Sequence, residues 1–248
     1  MSAGNQLRRL LRRKDGVMLP GAYDGLVARQ AKAKGFEGLY LSGAAISASY
    51  GVPDVGLLSL DHFKAKIREL AVASEGLPIL ADADTGFGDV EMTTRTVCEY
   101  IHAGAGGLHL EDQVFPKRCG HLDGKELVPV AEFVEKIRRA KQTSTRLDPE
   151  FVVCARTDAR GVEGFDAAVE RAARYVEEGD ADMIFPEGLA DLAEFTKFAQ
   201  AMNGLKKKPF LVANMTEFGK TEFITFSAFV QAGYQAVIFP VSSLRADM

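Results

Sequence analysis

Short apolar runs of β-forming residues recur eight times along the chain, the first seven each followed by a polar or glycine-containing loop and then a helix-length amphipathic stretch. The runs fall at 17–19, 38–41, 78–81, 107–110, 151–155, 182–185, 210–213 and 236–239, and the amphipathic stretches at 26–34, 60–73, 92–103, 130–142, 165–178, 189–202 and 222–231. The runs lack apolar/polar alternation, as parallel strands do when helices cover their outer face. Eight such units predict an α/β fold, a (β/α)8 TIM-type barrel, with residues 1–248 forming one domain that opens with an amphipathic N-terminal helix. Gly35, Gly104, Gly179 and Gly233 follow helical stretches and are expected to take the left-handed cap conformation. An open doubly wound sheet is the competing arrangement. However, the glycine-rich run 104–107 follows a helix and precedes a strand, the reverse of the order a dinucleotide-binding turn requires. Only Ser242 to Met248 remain after the last run, too few for an eighth outer helix. The expectation is therefore a barrel lacking that helix and a C-terminal helical segment, with the chain shortened or the gap covered by a neighbouring subunit.

Composition adds what the chain is not. Its 248 residues are 47% hydrophobic and 26% charged, ordinary for a folded domain with a large core. A net charge of −4 and a pI near 5.7 provide no basic field for a nucleic acid. Three cysteines without CxxC spacing argue against a disulfide framework or a structural zinc site, and fit a reducing compartment. No apolar run approaches the ~20 residues that span a bilayer. The expectation is a cytoplasmic protein, or one of the mitochondrial matrix if the basic start (Arg8, Arg9, Arg12, Arg13, Lys14) has a targeting history.

In a closed barrel the chemistry belongs at the C-terminal ends of the strands, and polar residues follow the apolar runs all the way round. They include Tyr40 and Ser42, Asp82 and Asp84, Glu111, Arg156, Glu187, Asn214 and Thr216, and finally Arg245. Asp82 and Asp84, two apart on extended chain, should point to one side, and Glu111 can approach from the adjacent strand. Three carboxylates at one mouth would repel without a cation, and hard oxygen donors with room for water suit Mg²⁺. The alternative for Asp84 and Asp89 is a turn and a helix cap. Arg156 and Arg245 imply an anionic substrate. Cys119 sits between Lys117-Arg118 and Gly120-His121 in a loop long enough for a lid. Those basic neighbours should draw its thiol toward neutrality, as suits a proton donor. Cys98 and Cys154 read as packing residues, His62 and His102 as surface residues, and His109 as packed or supporting.

With those residues in place, the chain resembles the isocitrate lyase and phosphoenolpyruvate mutase superfamily, most closely its methylisocitrate lyases. The likeness runs from Pro20-Gly21-Ala22-Tyr23-Asp24 to Arg245. It rests on Lys117-Arg118-Cys119-Gly120-His121, Tyr40-Leu41-Ser42-Gly43-Ala44, the run from Asp82 to Gly88, Glu111-Asp112-Gln113, Ala155-Arg156-Thr157-Asp158 and the run from Asn214 to Gly219. By that resemblance Asp82 and Asp84 hold Mg²⁺, which Mn²⁺ could replace, with Asp54 and Glu111 in support. Cys119 is the general acid, with Lys117 and His121 beside it and Tyr40 a candidate base. Ser42, Gly43, Ala44, Cys119, Gly120, Arg156, Glu187, Asn214, Thr216 and Arg245 would line a small di- or tricarboxylate. Phe185, Ile238 and Pro240 would form an apolar wall for a methyl group. The implied reaction cleaves 2-methylisocitrate to pyruvate and succinate in a homotetramer. The alternatives are an oxaloacetate hydrolase, a 2,3-dimethylmalate or isocitrate lyase, or a silent, shortened subunit.

Overall fold

A computed structural model describes residues 1–118, 120, 124–219 and 221–248. Eight strands form its centre: β1 (Val17–Pro20), β2 (Leu39–Leu41), β3 (Ile79–Asp82), β4 (Gly107–Glu111), β5 (Val152–Thr157), β6 (Met183–Pro186), β7 (Phe210–Asn214) and β8 (Ala236–Phe239). Neighbours pair in parallel in the order β1-β8-β7-β6-β5-β4-β3-β2. A parallel bridge between Gly21 and Tyr40 joins the two ends, where the Ala22 N–H donates to the Tyr40 carbonyl at 2.8 Å. The sheet is thus a closed barrel, the fold expected from the alternation of strands and helices.

The outer layer comprises α2 (Gly25–Ala33), α4 (Leu60–Ala73), α5 (Val90–Ala103), α6 (Val130–Leu147), α7 (Phe165–Glu177), α8 (Leu192–Asn203) and α9 (Phe226–Gln231). Alternate strand residues divide two cores. Ile79, Ala81, Leu108, Leu110, Val153, Ile184 and Val237 pack outward with the helices, while Leu19, Leu80, Val152, Cys154, Met183, Val212 and Ile238 fill the barrel. The N-terminal helix α1 (Ala3–Leu11) inserts Leu7 and Leu11 into that inner core and touches β3, β4 and β5. Its Arg8 pairs with Asp182 at 2.9 Å, which Lys141 also grips. The helix therefore plugs the N-terminal end of the barrel.

Several boundaries differ from expectation for local reasons. A short helix, α3 (Gly43–Ser49), follows β2, because Ser42 caps it by accepting from the Ala45 N–H. Helix α8 starts at Leu192 rather than 189 because Asp191 is the N-cap, and α9 starts at Phe226 rather than 222 because Thr225 is. Helix α6 runs past 142 to Leu147, its Thr143 and Ser144 hydroxyls bonding back to the preceding turn. Gly35, Gly104 and Gly233 take positive φ as expected, but at the end of α7 Asp180 does so in place of Gly179. Gly179 serves close packing instead, since a Cβ there would meet the Tyr175 carbonyl oxygen at 2.7 Å. After β8 the chain forms only a six-residue helix, in keeping with too few residues for an eighth outer helix. Ser242–Asp247 form α10, pinned where the Ser243 hydroxyl donates to the Gly21 carbonyl at 2.5 Å. Among the described residues no helix is long and apolar enough to cross a membrane.

Candidate active site

The C-terminal ends of the strands converge on a cavity of about 260 Å³ lined by Tyr40, Ser42, Ala44, Asp54, Asp82, Gly120, Arg156, Glu187, Asn214, Thr216 and Arg245. Phe185, Phe218 and Pro240 supply its apolar wall. Thirteen positions expected from sequence thus meet on one surface, contributed by strand ends and loops far apart in the chain. A larger groove of about 760 Å³ outside the mouth, near the starts of α4 and α5, contains none of them. Ile238 stands inside the barrel core beneath Pro240 and does not line the cavity. Cys119 and His121 lie outside the described residues.

Asp82 ends β3 buried, its two oxygens accepting from the Gly43 and Asp84 N–H groups at 3.0 Å. Burial opposes its charge, yet His109, Lys117 and Arg156 together draw the carboxyl below the usual range. Next to it the backbone turns through left-handed conformations at Asp84 (φ 45°) and Phe87 (φ 61°), which cost energy in side-chain-bearing residues and persist where packing imposes them. Asp89, by contrast, is a helix cap, accepting from the Glu91 and Met92 N–H groups.

Asp84, Glu111 and Lys117 lie behind the cavity wall and reach it through charge. Lys117 is 3% exposed, and its ammonium sits 2.5 Å from Asp54 and 2.8 Å from Asp84. Arg156 is 3.4 Å from Glu111 and 3.5 Å from Glu187, and it binds Asp158 through Nε and Nη2 at 3.0 and 3.1 Å. Burial pushes the Asp84 carboxyl up to about 7, against the pull of Lys117, and drives Glu111 well above the carboxylate range. Asp84 Oδ1 is met by the Lys117 ammonium, whereas both Glu111 oxygens are buried without a hydrogen-bond partner among the described residues.

Those orphaned oxygens test whether the site suits a divalent cation. Among the described residues no three His, Cys, Asp or Glu side chains already stand as a cage. Mg²⁺ seldom uses one; it keeps waters and takes one or two carboxylates. Hard, under-satisfied carboxylates beside an open cavity fit that donor set, and a cation there would favour the charged form of Asp84 and Glu111.

Tyr40 is buried with its hydroxyl 2.8 Å from His109 Nε2. Burial and the Asp82 charge hold the phenol well above its ordinary value, so it remains protonated. His109 is fully buried against Phe185, which pushes its imidazole down to about 4 and keeps it neutral. At neutral pH the two cations, Lys117 and Arg156, therefore hold Asp82 ionised. The pH consequence has a definite sign. Above 6.5 His109 is neutral folded and unfolded; as pH falls to about 4 the unfolded chain takes a proton the folded chain refuses, and stability declines. The decline is on the order of 3 kcal/mol. Asp84 acts oppositely, contributing stability below 3.8 that is lost as pH rises through about 7. Denaturant titrations of wild type and His109→Gln, which share Asp84, should thus diverge across pH 6.5 to 4, with the variant losing less stability. Parallel profiles would mean that His109 is not held neutral.

Arg245 lines the cavity from the exposed side, its guanidinium over the Phe218 ring at 5.1 Å and hydrogen bonded to the Glu217 carbonyl. In the same segment after β7 the Thr216 hydroxyl donates to Asn214, and the Asn214 amide to Glu187 at 3.2 Å. Sequence reasoning assigned no role to Lys125, Gln113 or Asp158, all buried near this mouth. Asp158 carried a signal in its spacing of two from Arg156, whereas Lys125 carried none.

The family model described as phosphoenolpyruvate phosphomutase matches residues 7–248. The chain is 50% identical to a probable 2-methylisocitrate lyase 1 of Corynebacterium glutamicum, over 93% of this chain and 73% of that protein. It is 49% identical to a 2-methylisocitrate lyase of Aeropyrum pernix, over 99% and 76%. Among solved structures, 2,3-dimethylmalate lyase superposes with a TM-score of 0.93 at 37% identity, covering 100% of this chain and 81% of that one. Oxaloacetate acetylhydrolase with 3,3-difluorooxalacetate gives 0.93 at 36%, covering 99% and 82%. Phosphonopyruvate hydrolase, in complex with oxalate and Mg²⁺, gives 0.84 at 31%, covering 100% and 83%.

Proposed function

The chain belongs to the phosphoenolpyruvate mutase and isocitrate lyase superfamily and is a carbon–carbon lyase; from that premise we propose that it cleaves 2-methylisocitrate to pyruvate and succinate, with Mg²⁺ at Asp82 and Asp84. The observation that carries the reading is the composition of the 260 Å³ cavity. Ser42, Arg156, Asn214 and Thr216 offer donors to carboxylates, Asp82 brings a carboxylate of its own, and Phe185 with Pro240 adds apolar surface to the same cavity.

Asp82 and Asp84 would hold the cation directly or through water, supported by Asp54 and Glu111; bound there, it would lower the cost of removing the substrate's hydroxyl proton. Arg156, whose Asp158 partner fixes the plane of its guanidinium, receives a substrate carboxylate with its remaining donors. Asn214 and Thr216 add neutral donors to the same end. When the central carbon–carbon bond breaks, the electron pair stays with the succinate half, spread into its carboxylate, where these donors stabilise it. The Cys119 thiol then delivers a proton to that carbon. Tyr40, protonated and hydrogen bonded to neutral His109, is suited to relay the hydroxyl proton rather than to stand as a tyrosinate.

The substrate is tested by product identification and a competition series. Pyruvate and succinate should appear in equal amounts from 2-methylisocitrate. The kcat/KM for it should exceed that for isocitrate by at least ~10-fold, the scale of one methyl group in an apolar pocket. Equal use of the two, or a preference for oxaloacetate or 2,3-dimethylmalate, would overturn the substrate and leave the fold and family untouched.

A further inference from the structure

The loop after β4 leaves and rejoins the barrel through an antiparallel neck. Gln113 bridges to Leu127, the Val114 N–H donates to the Glu126 carbonyl at 2.8 Å, and the Val128 N–H to the Asp112 carbonyl at 3.0 Å. Beyond the neck, two buried side chains reach back onto the loop backbone. The Gln113 amide holds Arg118 in both directions, its Nε2 donating to the Arg118 carbonyl and its Oε1 accepting from the Arg118 N–H, each at 2.9 Å. The Lys125 ammonium donates to the Gly120 carbonyl at 2.5 Å and to Asp158 Oδ1 at 2.8 Å. Gly120 in turn lies flat on the substrate-binding charges: a Cβ there would be 2.5 Å from Arg156 Nη2 and 2.7 Å from the Glu187 carboxyl carbon. Asp158 grips Arg156 as well as Lys125. Its own N–H is anchored on Asp112, which also accepts from the Thr157 and Tyr175 hydroxyls.

We propose that Lys125 and Gln113 are positioning residues that latch the loop over the cavity, Lys125 tying Gly120 to the carboxylate that orients Arg156. One aspartate then sets both the guanidinium that receives the substrate and the Gly120 backbone that lies against it, so the two cannot drift independently. A buried Lys–Asp pair adds little net stability over apolar packing, because desolvation offsets most of its attraction. Its worth here is geometric. Arg118 and Gly120 are the covalent neighbours of Cys119, so the latch holds the backbone groups on either side of the expected acid. That catalytic consequence rests on the function proposed above; the latch itself does not.

The latch is tested first by hydrogen exchange of peptides covering 114–126, which needs no turnover. Lys125→Met keeps the aliphatic stem and removes the ammonium; Gln113→Leu removes both bonds to Arg118. Each should raise exchange in that loop by ~10-fold or more while peptides from β6, β7 and α8 stay protected. Lys125→Arg should restore part of the protection. In the lyase assay, kcat should fall about 10²-fold, the scale of a misplaced reacting group, with KM changing less. Loop exchange unchanged in both variants would overturn the proposal. So would a loss of protection spread evenly over the barrel, since that is the mark of a merely structural pair. If Lys125→Met does not fold, Gln113→Leu carries the same test. Wild-type protein without lyase activity would sink the proposed function, and the exchange comparison would still decide the latch.

Discussion

Stripped of divalent cations, the enzyme is expected to lose turnover to background and to regain it with Mg²⁺ or Mn²⁺. The expectation follows from two carboxyl groups whose charges the protein alone does not fully support. Asp84 is pushed up to about 7 by burial, Glu111 is driven well above the carboxylate range, and both Glu111 oxygens have no hydrogen-bond partner among the described residues. Asp82→Ala also removes the acceptor for the Gly43 and Asp84 N–H groups, so the turn that aims Asp84 loses its anchor. Calorimetric titration of the variant with Mn²⁺ should show affinity lowered by at least the ~10–100-fold that the loss of an outer-shell partner costs. Full activity after exhaustive chelation, or unchanged Mn²⁺ affinity in Asp82→Ala, would remove the metal from the mechanism.

Cys119→Ser should cost roughly 10²–10⁴-fold in kcat, the range for removing one positioned general acid. Serine keeps the shape of the side chain but not its acidity. Lys117 and Arg118, which precede the cysteine in sequence, would assist a thiol and do little for a hydroxyl. Binding of Mn²⁺ and of product should survive the change, which separates a lost proton donor from a collapsed loop. A serine variant turning over at near wild-type rate would make the cysteine a bystander.

The cavity was legible in the sequence to an unusual depth because a barrel turns a linear rule into a spatial one. Whatever follows an apolar run arrives at the mouth, and so the sequence alone places Tyr40, Asp82, Arg156, Glu187 and Asn214 together. The same rule fails where depth along one strand matters. Ile238 and Pro240 are two apart and share a face, but the first belongs to the packed interior and only the second borders the cavity. Helix α3 escaped notice because Gly43 to Ser49 is nearly all small residues and has no amphipathic stripe; its signal was the capping serine. Lys125 was invisible for a different reason. Its partner Asp158 lies 33 residues away, and a lysine in a polar loop reads as solvated until the fold buries it.

The stopper made by Leu7 and Leu11 bears on traffic. A barrel filled from below has one doorway, so two products must leave by the route a single substrate used, and they leave in order of depth. The half lodged deeper departs second and competes with incoming substrate for the empty enzyme, whereas the half nearer the doorway gives a mixed pattern of inhibition. Product-inhibition kinetics therefore work as a depth gauge, reporting which fragment of the cleaved acid sits against the floor and which against the lid.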